Sequence, residues 1–255
     1  MSPDRTAPVE RPAQKAPRDP QIRAALVAHL AGIEPSATVL HEVPIRYARG
    51  NFDARRADVI AVSNVVTGYE IKSDVDSLTR LDRQIIAYEA LCDFCTIVVG
   101  SRHLAHARAT VPASWGILLA ASGESGVVLH LERLATRNDR VEPAGIARHF
   151  WKEECVALLK EHGAKLPRRV LVHALWPLVE ALPIDVLRAR LRVALVDHEN
   201  ALKDVRVERR EEQREHRKRE KDRRERMDRI LAEWSSRAAE RDPTTPQPPS
   251  DTLPG

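Results

Sequence analysis

The apolar positions of this chain switch between two periods, and the switches mark its elements. Ile22, Leu26, Val27 and Leu30 recur at helical spacing and give one apolar face to a helix ending around Gly32. Asp19 suits its cap and Pro20 its first turn. Thr38 to Tyr47 is β-rich, with Val39, Val43 and Ile45 on one side. Asp58 to Val62 and Gly68 to Lys72 read as short buried strands, and the Asn64 to Gly68 stretch suits a hairpin between them. A helix is predicted from about Ser77 to Leu91 and a buried strand at Thr96 to Val99. Two more strands follow at Trp115 to Ala120 and Val127 to Leu131, joined by a turn at Ser122 to Gly126. This order fits an α/β fold, a central mixed sheet flanked by helices.

From about Gly145 the pattern becomes helical, with segments near 146–162, 168–180 and 183–197 separated by Gly163, Pro167 and Pro183. Residues 145–198 therefore read as a helical domain, and 199–241 as a charged helical arm. Glu199/Lys203, Glu215/Arg219, Glu220/Arg224 and Glu225/Arg229 stand four apart with the acid first, the favourable order on a helix. Apolar residues nearly vanish between Val207 and Met227, so the arm has no heptad seam there. Both ends, 1–18 and 243–255, are proline-rich with little to bury, and read as a disordered leader and tail.

Composition narrows the partners only slightly. Of 255 residues 43% are hydrophobic but 4% aromatic, so the core must be built largely of Ala, Val, Leu and Ile. The net charge of +4 and pI near 9.1 permit nucleic acid without arguing for it. No apolar run approaches the ~18 residues of a membrane span, and no secretory signal pattern opens the chain. Three cysteines (Cys92, Cys95, Cys155) make no disulfide framework, so a cytoplasmic location is expected. Cys92 and Cys95 have zinc-knuckle spacing, but without a matching second pair they read as buried apolar thiols. His41, His103, His106, His130 and His149 are scattered without metal-ligand spacing. Neither a glycine-rich phosphate loop nor a Gly-x-Ser-x-Gly elbow occurs.

The chemistry lies in Arg55-Arg56-Ala57-Asp58-Val59-Ile60-Ala61-Val62 and Gly68-Tyr69-Glu70-Ile71-Lys72-Ser73-Asp74. Side chains alternate along a strand, so Glu70 and Lys72 share a face, and a hairpin would bring Asp58 toward Glu70. Converging carboxylates repel unless a cation or proton lies between them, and Mg²⁺ (or Mn²⁺) suits hard oxygen donors. Lys72 beside them adds a positive group for a phosphoryl oxygen. On the next helix Arg80, Gln84 and Tyr88 form a polar stripe four residues apart, with Gln84 able to reach back to the sheet. A plain ion pair on a strand is the competing account of Glu70 and Lys72.

These residues resemble the PD-(D/E)XK nuclease superfamily, whose restriction-endonuclease-like core runs α-β-β-β-α-β with an Asp and then Glu-x-Lys on adjacent strands. Gln84-x-x-x-Tyr88 is similar to the helical motif of RecB-like nucleases. With Asp19-Pro20-x-Ile22-Arg23, Arg56-Ala57-Asp58, Arg80-Leu81 and Trp115-Gly116-Ile117, the resemblance extends to a largely uncharacterised bacterial family assigned to that fold, over a domain of residues 19–135. It implies Asp58 and Glu70 as metal ligands, Lys72 as the catalytic lysine and Gln84 as a fourth catalytic-site residue. Glu42, and less so Asp19, would be the additional acid of some relatives, while Arg56, Arg80 and Tyr88 would support the site. Ala57 stands where the family's name has proline. The implied activity is metal-dependent hydrolysis of nucleic acid, DNA above RNA, in repair, recombination or defence against foreign DNA. Two alternatives stay open. One is a non-catalytic scaffold that binds nucleic acid or a partner protein, or pairs with a second copy, through its helical C-terminal region. The other is a DNA reader in 145–198 using Arg168, Arg169, Arg188, Arg190 and Arg192.

Overall fold

A computed structural model describes residues 16–45 and 55–239. Helix α1 (Asp19–Ile33) precedes strands β1 (Thr38–Ile45), β2 (Arg55–Val62) and β3 (Val66–Lys72), followed by α2 (Leu81–Leu91) and β4 (Phe94–Val99). A 3₁₀ turn (Ser101–His103) leads into α3 (Leu104–Thr110), then β5 (Gly116–Gly123) and β6 (Gly126–Arg133). Helices α4 (Pro143–Ala147), α5 (Lys152–Glu161), α6 (Val172–Glu180) and α7 (Ile184–Ala239) complete the order. The leader as far as residue 15, Tyr47 at the end of the first predicted strand, the last residues of the charged arm and the tail lie outside the described residues. Among the described residues, no helix is long and apolar enough to cross a membrane.

The fold is mixed α/β. Six strands form one sheet in sequence order, with β1–β2, β2–β3 and β5–β6 antiparallel and β3–β4 and β4–β5 parallel. Strand alternation sorts its side chains into two cores. Val59, Ala61, Tyr69, Ile71 and Val98 face α1, whose Ile22, Leu26 and Leu30 are almost wholly buried. Each of those three α1 residues contributes about 1.5–3 kcal/mol by leaving water. Ile60, Val62, Val66, Ile97 and Val99 face the other way, onto Leu81, Ile85, Tyr88 and Leu91 of α2.

That second core extends further than the sequence pattern implies. Ile146, Phe150, Leu158, Leu175, Leu187 and Leu191 belong to it, so residues 145–198 are a layer of the sheet's own unit instead of a domain apart. The chain divides into two compact units between Glu199 and Asn200. Arg188, a candidate DNA contact by sequence, places its Nε 3.0 Å from the buried Asp93 carboxylate, whose other oxygen accepts the Val66 amide. It is a tie between α7 and the sheet. In the second unit the pair Glu215/Arg219 meets at 3.4 Å.

Two element starts also differ from the sequence reading. Asp19 lies inside the first turn of α1, after Arg18 as the capping residue, and its carboxylate is taken by Arg23. Helix α2 begins at Leu81. The Ser77 and Thr79 hydroxyls bond each other, and the Thr79 amide bonds Ser77 Oγ, a local alternative that competes with helix.

Candidate active site

The β2–β3 register pairs Val59 with Tyr69, and one step further would set Asp58 across from Glu70. The ladder stops there because Asp58 intervenes with its side chain, one carboxylate oxygen accepting the Ile71 amide at 2.8 Å. The two acids therefore stand on neighbouring strands at the mouth of a splayed hairpin. Glu70 is fully buried and Lys72 nearly so.

Three side chains hold the Glu70 carboxylate. Lys72 Nζ lies 2.6 Å from Oε1, Gln84 Nε2 donates to Oε1 at 2.5 Å, and the Tyr88 hydroxyl lies 2.9 Å from Oε2. The same hydroxyl accepts the Asp58 amide at 3.0 Å and lies 3.0 Å from the Tyr69 carbonyl, so one oxygen links both strands to α2. The predicted polar stripe runs inward: Arg80 is exposed, Gln84 half-buried and Tyr88 buried, its ring edge-on to Trp115 at 5.6 Å. Gly68 is required beneath that ring. A Cβ there would lie 2.5 Å from a Tyr88 ring carbon and 2.8 Å from Cys92 Sγ.

A second set of charges closes the other side. The Arg23 guanidinium touches Asp19 through Nε and Nη2 at 3.2 Å, Glu42 at 3.0 Å, the Asp58 carboxylate at 3.4 Å and the Asp58 carbonyl at 2.5 Å. Arg56 Nε meets the other Glu42 oxygen at 2.5 Å. Glu42 adopts a φ of 55°, a left-handed conformation that costs a non-glycine residue about 1–2 kcal/mol, and it is the one β1 position between His41 and Pro44 that skips its β2 partner. All these residues line one open cleft of ≈ 630 Å³, together with Pro44, Ile71, Asp76, Arg80 and Gln84.

Burial pushes the Glu70 carboxyl up to about 7, and the nearby Asp58 charge pushes the same way against Lys72. Asp58 is raised too, first by burial, while the Ile71 amide, Arg23 and Lys72 oppose the rise. Burial and the two carboxylates raise Tyr88 well above 10, so it remains a hydroxyl. For Glu70 the sign is definite. The unfolded chain gives up this proton near 4.5, the folded one near 7, so the folded state binds the extra proton between them. Raising pH through that window removes stability. Urea unfolding at pH 5 and pH 8, without divalent ions, is expected to show a larger loss for wild type than for Glu70→Gln. Equal losses would contradict the assignment.

The donor set fits a divalent cation. Asp58 and Glu70 carry hard oxygen donors whose mutual repulsion a cation would relieve, and the buried Gln84 Oε1 has no hydrogen-bond partner among the described residues. Among the described residues no group of three or more His, Cys, Asp or Glu is placed to hold a metal. Mg²⁺ needs only one or two carboxylates, with water and phosphate completing its shell. Glu42 is engaged by Arg23 and Arg56 and does not complete a triad with Asp58 and Glu70.

The family model of bacteriophage P4 protein cII matches residues 13–222, most of the chain. The chain belongs to the bacteriophage P4 protein cII family. Protein cII of Enterobacteria phage P4 is 26% identical over 176 residues, which cover 67% of this chain and 64% of that protein. A solved protein of unknown function from Silicibacter pomeroyi aligns with 59% of this chain and 96% of its own, at 18% identity and a TM-score of 0.35, too distant to carry fold or function across. In this cII-family chain the cleft gathers Asp19, Glu42, Arg56, Asp58, Glu70, Lys72, Arg80 and Gln84 of the nuclease-site candidates, while Tyr88 holds Glu70 without lining it and the candidate DNA-reading arginines of 145–198 lie elsewhere. The roles of Arg23 and Asp76 were missed. Asp19 and Arg23, four apart with the acid first, carried a signal for the first. Asp76, which accepts the Ser73 amide and hydroxyl at 2.7 and 2.6 Å, carried none.

Proposed function

We propose that this protein is a divalent-metal-dependent nuclease of the PD-(D/E)XK type that acts on DNA. The observation that carries the reading is the meeting of Asp58, Glu70 and Lys72 in one open cleft, with Gln84 and Tyr88 fixing the Glu70 carboxylate from α2. A divalent cation held by Asp58 and Glu70 would lower the pKa of a bound water and polarise the scissile phosphate. Lys72 holds a positive charge where charge develops on the phosphoryl oxygens. Gln84 and Tyr88 keep Glu70 oriented, and the Ile71 amide does the same for Asp58. Arg56 and Arg80, both exposed on the rim, receive the flanking phosphates of the strand.

A second reading has an observation in its favour. Lys72, Gln84 and Tyr88 already satisfy Glu70, as in a structural ion pair, so the cleft could serve a scaffold that binds nucleic acid without cutting it. Linear, nicked, single-stranded and supercoiled DNA should be incubated with wild type and Asp58→Asn in Mg²⁺, Mn²⁺ or EDTA. The nuclease reading expects metal-dependent cleavage that EDTA stops and Asp58→Asn loses. Binding that survives EDTA and Asp58→Asn, with no cleavage by wild type, would leave the scaffold.

A further inference from the structure

Arg23 occupies an unusual place for a basic side chain in a candidate metal site. Its guanidinium, mostly shielded from solvent, is shared among Asp19, Glu42 and Asp58, and its Nη1 is anchored on the Asp58 carbonyl. Asp58 is thereby flanked by positive charge from α1 as well as from Lys72, both of which favour its ionised form. A cation taking Asp58 Oδ1 would have to share it with the guanidinium, 3.4 Å away. The geometry also supplies a place for it to go, because Asp19 grips it through two nitrogens from the preceding turn of the same helix.

We infer that Arg23 is a resident counter-cation, holding Asp58 and Glu42 when no metal is bound and withdrawing onto Asp19 as a divalent ion takes Asp58, so that it sets the affinity of the site for metal. This rests on the proposed metal-binding role of Asp58 and Glu70. Competition between two cations for one carboxylate is electrostatic and is strongest where water is excluded. Removing the resident charge has two consequences of the same sign. It takes away the competitor, and it leaves Asp19, Glu42 and Asp58 without their shared partner, which increases the demand for another cation.

The test is calorimetric titration of the full-length protein with MnCl₂ at pH 7.5. Arg23→Gln is expected to bind Mn²⁺ about tenfold more tightly than wild type, whereas Arg23→Lys, which keeps the charge, stays within about threefold. Arg56→Gln serves as the field control, since Arg56 is exposed and pairs with Glu42 rather than Asp58. If Arg23→Gln, shown folded by circular dichroism, binds Mn²⁺ no more tightly than wild type, the inference is overturned while the nuclease reading stands. An equal gain in Arg56→Gln would also overturn it, by reducing the effect to overall charge. Should Arg23→Gln fail to fold, Asp19→Asn decides the matter. Loss of the outer partner leaves Arg23 on Asp58 and should weaken Mn²⁺ binding severalfold, and unchanged affinity would refute the hand-over. No Mn²⁺ binding by wild type would remove both this role and the metal site.

Discussion

Lys72→Met is expected to reduce metal-dependent DNA cleavage by about a hundred- to a thousandfold, the scale on which one preorganised stabilising group acts. Methionine keeps the aliphatic length and removes the ammonium group, its charge and its hydrogen bond to Glu70 together. The loss should appear in turnover under saturating DNA, because the group acts on charge that develops during reaction. A stability effect accompanies it. Lys72 is the cation beside the wholly buried Glu70 carboxylate, and its removal pushes that carboxyl further up. At pH 8 the variant must either bury an unpaired charge or take up a proton, so it should unfold at lower urea than wild type. At pH 5 Glu70 is protonated in both, and the gap should narrow. Cleavage by Lys72→Met at the wild-type rate would sink the proposed mechanism, whatever the urea curves show.

Gly68→Ala is expected to destabilise the protein by up to about 3 kcal/mol. The added methyl has no space, with the Tyr88 ring and Cys92 Sγ both inside contact distance and both buried. The ring must move, and with it the hydroxyl bound to Asp58, Tyr69 and Glu70. Pairing Gly68→Ala with Tyr88→Leu tests the cause. The double variant should be less destabilised than the sum of the singles, because the clash with the ring goes and the one with Cys92 Sγ remains. Strict additivity in thermal or urea unfolding would place the strain elsewhere.

Much of this site was legible because strands reveal their faces. A period of two puts Glu70 and Lys72 together regardless of what surrounds them, and a short hairpin leaves little freedom in where Asp58 lands. Gln84 was legible in the same way, from its place between the polar and apolar faces of α2. Relations between distant layers were not. That Arg23 reaches across to Asp58 depends on how α1 lies on the sheet, which no local spacing encodes. Residues 145–198 show amphipathic faces, but a face does not name its partner, and so their packing against α2 and the sheet went unread. Arg188 illustrates the limit, since a helix-surface arginine and one committed to a buried aspartate look alike in sequence. Tyr88 was placed on the right stripe, yet its full burial follows from Gly68 making room on the facing strand.

The three-way use of the Tyr88 hydroxyl bears on the order in which the molecule assembles. Strands β2 and β3 are joined by a three-residue connection and can meet early, whereas β3 and β4 are parallel and pair only after α2 has crossed over between them. Until that crossover completes, Glu70 has Lys72 on its own strand but neither Gln84 nor Tyr88, and remains in water. Desolvation of the acid is thus deferred to the step that docks α2. If that docking step limits the rate, refolding is expected to be slower when the Glu70 carboxyl enters as an anion than when it enters with its proton, which refolding rates at pH 5 and pH 8 would check.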